Sequence, residues 1–233
     1  MPDATPLLTL AAARLAIEPA GGLTLPITLE VGAGELVLVE IGGPRRAAAF
    51  ADAVCGRLAP AEGAVRFLGR DWRAESGETA NALRGRIGRH FAADSWLPWL
   101  TVAENVLLAT LFHTRIARGA LLAEAARRAR AFGLPGLPAG FPETVAPADL
   151  ACAALVRAFL GAPRLVVLEH PTGVLGDAIL PPLLDAIRAV RDQGGAVLWL
   201  THGSDAAADR SLPATQCWRL VGSRLAPLHA AAA

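Results

Sequence analysis

The chain has no lysine and no tyrosine, so all 22 of its Lys-plus-Arg positions are arginine. The first absence removes the side chain that most often reaches the outer phosphates from a glycine-rich loop. The all-arginine composition is also what the codon bias of a GC-rich genome produces. Net charge is only +1 and 18% of residues are charged, which excludes the clustered basic surface of a nucleic-acid binder. No stretch offers 18 uncharged apolar residues, so no membrane span is predicted. The N-terminal residues include Asp3 and no basic n-region, so no signal peptide is expected. Cys55, Cys152 and Cys217 are odd in number and share no metal or redox spacing. They read as buried small hydrophobes of a reducing, cytoplasmic protein.

What is present is organised around Arg164 to Gly173. Leu165-Val166-Val167-Leu168 is an apolar run cut off by Glu169, His170, Pro171 and a Thr172-Gly173 turn. Such a run reads as a strand of a parallel sheet, buried on both faces. Ligands of open parallel sheets bind beyond the carboxyl ends of the strands, so Glu169 and His170 mark a candidate site. Ala196 to Leu200 is a second buried strand and ends in Thr201-His202. Three further strand-like runs lie between Leu7 and Ile41, with Pro26 marking an edge position. Residues 101–162 carry helical patterns only.

Glu35 to Ile41 is followed by Gly42-Gly43-Pro44-Arg45-Arg46 and an Ala-rich helix predicted from Ala47 to about Leu58. Strand, glycine turn and helix is the order of a phosphate-binding loop. That loop needs a Lys and a hydroxyl at the head of its helix. Aligned through Cys55-Gly56, the Lys position is Ala47, the hydroxyl positions are Ala48 and Ala49, and the second loop glycine is Arg46. The helix N-terminus still offers amides and a partial positive charge, and Arg45 and Arg46 are candidate phosphate ligands. The expectation is a weak site at Gly42, Gly43, Arg45, Arg46, Ala47, Ala48 and Ala49.

Other landmarks follow at fixed spacing. Gly63-Ala64-Val65-Arg66-Phe67-Leu68-Gly69-Arg70-Asp71 reads as turn and strand. Phe91 to Val106 contains Trp96-Leu97-Pro98-Trp99-Leu100-Thr101-Val102-Ala103-Glu104-Asn105-Val106, in which Thr101 and Glu104 stand at capping-box spacing. Leu155-Val156-Arg157-Ala158-Phe159-Leu160 precedes the central strand. In this order, from about Leu7 to Pro227, the segments resemble the ATP-binding subunits of ATP-binding cassette (ABC) transporters.

The resemblance implies an α/β fold, a P-loop NTPase core sheet with an inserted helical subdomain. Its bounds would be 1–91 and 164–227 for the core, 92–163 for the subdomain with a degenerate signature, and 228–233 for a tail. Residue by residue it places Glu169 at the magnesium-side Asp, His170 at the catalytic Glu and His202 at an intact switch His. Ala92 takes the position of the metal- and water-binding Gln. Val145, Ala146, Pro147, Ala148 and Asp149 take the signature that would contact the partner subunit's nucleotide. Trp96, Leu97, Pro98 and Trp99 fall where a membrane subunit docks. No metal site and no cofactor are expected.

The reading is therefore a cytoplasmic subunit on the inner face of the membrane, attached to a transmembrane permease. It would pair with itself or with another ABC ATPase, with little or no ATP binding or hydrolysis and a structural or regulatory role. The alternative is a working but atypical ATPase using ATP and Mg2+, with Arg45 or Arg46 on phosphate, Glu169 on metal and His170 as base. A free-standing adaptor is a third possibility. Glu104 to Thr114 is also similar to the ATPase of bacterial phospholipid-trafficking (Mla/MCE-type) systems, which implies lipid transport.

Overall fold

The computed structural model describes residues 5–17, 22–92, 95–202 and 212–228. Most of the proposed tail (229–233) and residues 93–94 of the Trp-bearing segment lie outside the described residues. The apolar runs build two sheets. Strands β1 (Leu8–Arg14), β2 (Ile27–Val31), β4 (Glu62–Phe67) and β5 (Arg70–Asp71) form a four-stranded antiparallel sheet in the order β2-β1-β4-β5. Strands β3 (Leu36–Ile41), β6 (Ile87–His90), β7 (Leu165–Glu169), β8 (Ala196–Thr201), β9 (Gln216–Val221) and β10 (Arg224–Pro227) form the second, in the order β10-β9-β3-β8-β7-β6. It is parallel except at β10.

Burial explains the split. β2 alternates buried and exposed residues, as a sheet with one solvated face requires, whereas every residue of β7 and β8 is buried. A single core sheet is thus corrected to two. Gln216–Val221 pairs with β3 as a full strand. β2 lies at a sheet edge, directly after Pro26.

Among the described residues six helices pack on these sheets: α1 (Pro44–Val54), α2 (Gly77–Arg84), α3 (Val102–His113), α4 (Arg118–Ala131), α5 (Pro147–Phe159) and α6 (Leu180–Asp192). Period-two alternation sends Val37, Val39, Val167 and Leu198 into one core with α1 and the antiparallel sheet. Their neighbours Leu38, Val166, Leu168 and Trp199 face a second core with α3 to α6. Helices α3 to α5 therefore share the apolar face of the main sheet, and no strand interrupts them among the described residues. Gly88 lets α5 approach β6: a Cβ there would stand 1.8 Å from the Ala158 carbonyl oxygen.

Candidate functional site

The parallel register carries the ends of β3, β7 and β8 to one edge. Glu169 lies opposite Leu200, and Glu40 opposite Thr201. Glu169, His170, His202 and the Gly42-Gly43 turn are thereby gathered, as the strand ends predicted. The His170 and His202 rings stand 4.7 Å apart, and His202 Nδ1 is 3.4 Å from the Ile41 carbonyl oxygen. His170 sits in the left-handed region at φ 47 and its ring folds against Gly173. Burial, and then the neighbouring His202, holds the His170 imidazole below its ordinary range.

The turn after β3 departs from expectation. Helix α1 begins at Pro44, not Ala47, so Gly42 and Gly43 alone connect strand and helix. Pro44 at the first helical position has its φ already set, and Ala47, Ala48 and Ala49 are the strongest helix formers. No glycine at 44–46 holds the chain out of the helix. Arg45 and Arg46 therefore belong to the first helical turn. Arg45 is exposed, Ala47 is buried, and Arg46 lies over Gly42 and donates to the Gly222 carbonyl of the β9–β10 turn. The connection between β3 and α1 is thereby only two residues long.

At the end of β7, Glu169 is almost fully buried and bound. Arg89 Nε on β6 donates to Glu169 Oε1 at 2.7 Å, and Arg89 Nη1 to Asp52 Oδ1 on α1 at 2.5 Å. Arg89 Nη2 donates to the Ala48 carbonyl at 3.2 Å, and its guanidinium carbon stands 4.3 Å from the Phe91 ring centroid. Burial pushes the Glu169 carboxyl up, against the pull of Arg89 and a hydrogen bond from the Ala92 amide. Glu169 thus already holds a cation. Alanines stand at 47–49 and at 92, and Glu169 is paired internally with Arg89. Among the described residues no cluster of three His, Cys, Asp or Glu could hold a metal ion.

The signature-equivalent run Val145 to Asp149 lies at the start of α5. Ala146, Pro147, Ala148 and Asp149 are exposed, and Val145 is half-buried. Pro147 stands in the first turn, so the donor it lacks is not missed by the helix; what is lost is an amide for a ligand. Asp149 in the same turn adds a carboxylate that would repel phosphate.

The Trp-bearing loop is divided by the structure. Trp99 is 70% exposed, while Trp96 is half-buried with Arg157 4.7 Å from its ring centroid. Pro98 is exposed and Leu97 is half-buried. Buried Asn105, a landmark residue to which the sequence reading gave no role, fixes the loop. Its Oδ1 accepts from the Leu97 amide at 2.8 Å, and its Nδ2 donates to the carbonyls of Leu97, Leu100 and Thr101.

The other residue missed from sequence is His90. It is buried beside Glu169, with Nδ1 3.2 Å from the Glu169 carbonyl oxygen, and burial lowers its imidazole to about 4. The unfolded chain takes up that proton near 6.5, so unfolding is favoured as pH falls between the two values. His90 contributes fully above pH 6.5 and loses about 2 kcal/mol of stability by pH 4.5. Denaturant titrations of wild type and His90→Gln at pH 7 and 4.5 should diverge by about that amount; parallel losses would refute it.

The α/β fold is that of ABC transporter cassettes. The dimeric structure of MJ0796, a bacterial ABC transporter cassette, superposes with a TM-score of 0.78 at 18% identity, covering 95% of this chain and 99% of that one. The chain belongs to the family of ABC transporter ATP-binding subunits. It is 32% identical over 192 residues to the thiamine import ATP-binding protein ThiQ of Cereibacter sphaeroides, covering 80% of this chain and 79% of that one. It is 30% identical over 196 residues to the lipoprotein-releasing system ATP-binding protein LolD of Ruegeria pomeroyi, covering 83% and 79%. No protein-family model matches the chain.

Proposed function

We propose that this chain is a non-catalytic cassette subunit that docks on a membrane permease from the cytoplasmic side and braces it. One observation carries the reading: the acid at the metal position, Glu169, is buried in an ion pair with Arg89. The helical Pro44–Arg46 turn and the lost Lys, hydroxyl and Gln support it. No described helix is long and apolar enough to cross a membrane, so attachment would run through the partner. Pairing with a second copy or another ATP-binding subunit fits the family. The similar proteins are named for thiamine import and lipoprotein release. Transport of a free phospholipid therefore rests on the Glu104–Thr114 segment alone. Phosphate release from Mg-ATP by the purified chain tests the reading; none above background is expected, and turnover abolished by Glu169→Gln would favour the atypical ATPase.

The docking half concerns Trp99. A tryptophan 70% exposed on a loop pinned by Asn105 has the features of an interface anchor. Truncating such an anchor costs about 2 kcal/mol, roughly thirtyfold in affinity. Pull-down of the permease with Trp99→Ala should fall accordingly while the melting temperature of the free subunit stays within about 1 °C of wild type. Trp96→Ala should instead lower stability, because Trp96 packs on Arg157. Retained capture by Trp99→Ala would end the docking claim.

A further inference from the structure

A second feature lies away from the strand ends. Between β6, helices α2, α3 and α5 and the segment that follows α1 is a cavity of about 230 Å3, and none of residues 42–49 lines it. Arg57, Arg84, Arg89, Arg157 and His113 line it, and no carboxylate does.

Two of the four guanidiniums are neutralised nearby. Arg89 holds Glu169 and Asp52, and Arg57 Nε is 3.4 Å from Asp52 Oδ1. Among the described residues Arg84 has neutral partners only: the carbonyls of Cys55 and Gly56, the Asn81 side chain and the Trp72 ring. Arg157 donates to the carbonyl and hydroxyl of Ser95 and stands over the Phe91 and Trp96 rings. Its Nε is buried with no hydrogen-bond partner among the described residues. Burial without an acid pulls the Arg157 guanidinium down to about 10.

Four arginines against two carboxylates leave an excess of two positive charges around a space larger than a single ion needs. A desolvated cation with an orphaned donor is costly unless an anion completes it. A monocarboxylate would balance half of the excess. A phosphate group carries about −1.5 to −2 at neutral pH and presents several acceptor oxygens to forked donors. We propose that this cavity is an oxyanion site that takes a phosphate group, with Arg84, Arg157 and Arg57 as its ligands. The remaining volume receives whatever the phosphate is attached to.

The phosphate can come as the free ion or on a small phosphomonoester, and two probes separate these sources. His113 lines the cavity, so its ring resonance, assigned with His113→Gln, reports occupancy. Inorganic phosphate and glycerol 3-phosphate are titrated at matched ionic strength against chloride. Both should shift the His113 signal saturably below about 10 mM; a tighter glycerol 3-phosphate assigns the site to a phosphomonoester, and equal affinities assign it to the free ion. Arg84→Gln should weaken binding about tenfold, the loss of one charge-assisted contact. Arg84 also holds the C-terminal end of α1, so Arg57→Gln, whose side chain is 64% exposed, serves as the variant that leaves folding intact. It should weaken binding about threefold. A shift that never saturates, or saturation unchanged in both variants, overturns the proposal.

Discussion

Mg-ATP titrated into the purified chain should bind no better than about millimolar. Contacts to the charged groups of a magnesium–nucleotide complex contribute about 1.5–3 kcal/mol each. The Lys position is Ala47, the hydroxyl positions are Ala48 and Ala49, and the Gln position is Ala92. Losing even three such contacts costs roughly 5 kcal/mol, more than a thousandfold in affinity. The structure adds to this sum. Of residues 44–46 at the head of α1 the first is a proline without an N–H, so one N-terminal donor is missing. Arg89 already neutralises Glu169, which weakens any pull of that carboxylate on magnesium. Calorimetry decides the matter. A micromolar constant weakened by Arg46→Ala would return the site to the nucleotide, whereas weak binding lost in Arg84→Gln belongs to the cavity beside β6.

Removing Arg89 should be the most damaging single change at the site. Its side chain is 9% exposed and joins Glu169, 2% exposed, to Asp52. Arg89→Met leaves Glu169 as a buried carboxylate with no cation. Breaking a buried pair in this way costs about 3–5 kcal/mol. For a chain of this size that is a fall of roughly 6–20 °C in melting temperature. The double variant Arg89→Met/Glu169→Leu removes both buried charges, and Asp52 keeps Arg57. It should recover most of the loss, because a buried pair and an apolar pair of similar volume are close in energy. A melting temperature within about 2 °C of wild type for Arg89→Met, or a double variant no better than the single, would show that the triad is not what holds this edge together.

What could be read in the sequence is what a turn or a strand decides by itself. The capping box at Thr101 and Glu104 forms as its spacing requires, with the Glu104 amide 3.3 Å from Thr101 Oγ1 and the Thr101 amide 2.9 Å from Glu104 Oε2. Ser76 caps α2. The unbroken runs at Leu165–Leu168 and Ala196–Leu200 become strands buried on both faces. Their ends bring Glu169, His170 and His202 to one edge. Each of these outcomes depends on residues within a few positions of one another, so composition and period carry them.

Tertiary structure decided what the gathered residues can do. Arg89 and Glu169 are 80 positions apart, and nothing in either neighbourhood marks them as partners. Their pairing depends on β6 lying beside β7 and on Asp52 reaching in from α1. The start of α1 at Pro44 was missed because glycines 42 and 43 suggested a longer loop; the helical preference of the residues behind them won. Gln216–Val221 becomes a strand only because β3 offers it an open edge. Two tryptophans three positions apart parted company, one over Arg157 and one into solvent, because Asn105 turns the loop between them. Local preference set the elements and their order, but burial set the chemistry, because whether a carboxylate meets a metal or an arginine depends on what the fold packs against it.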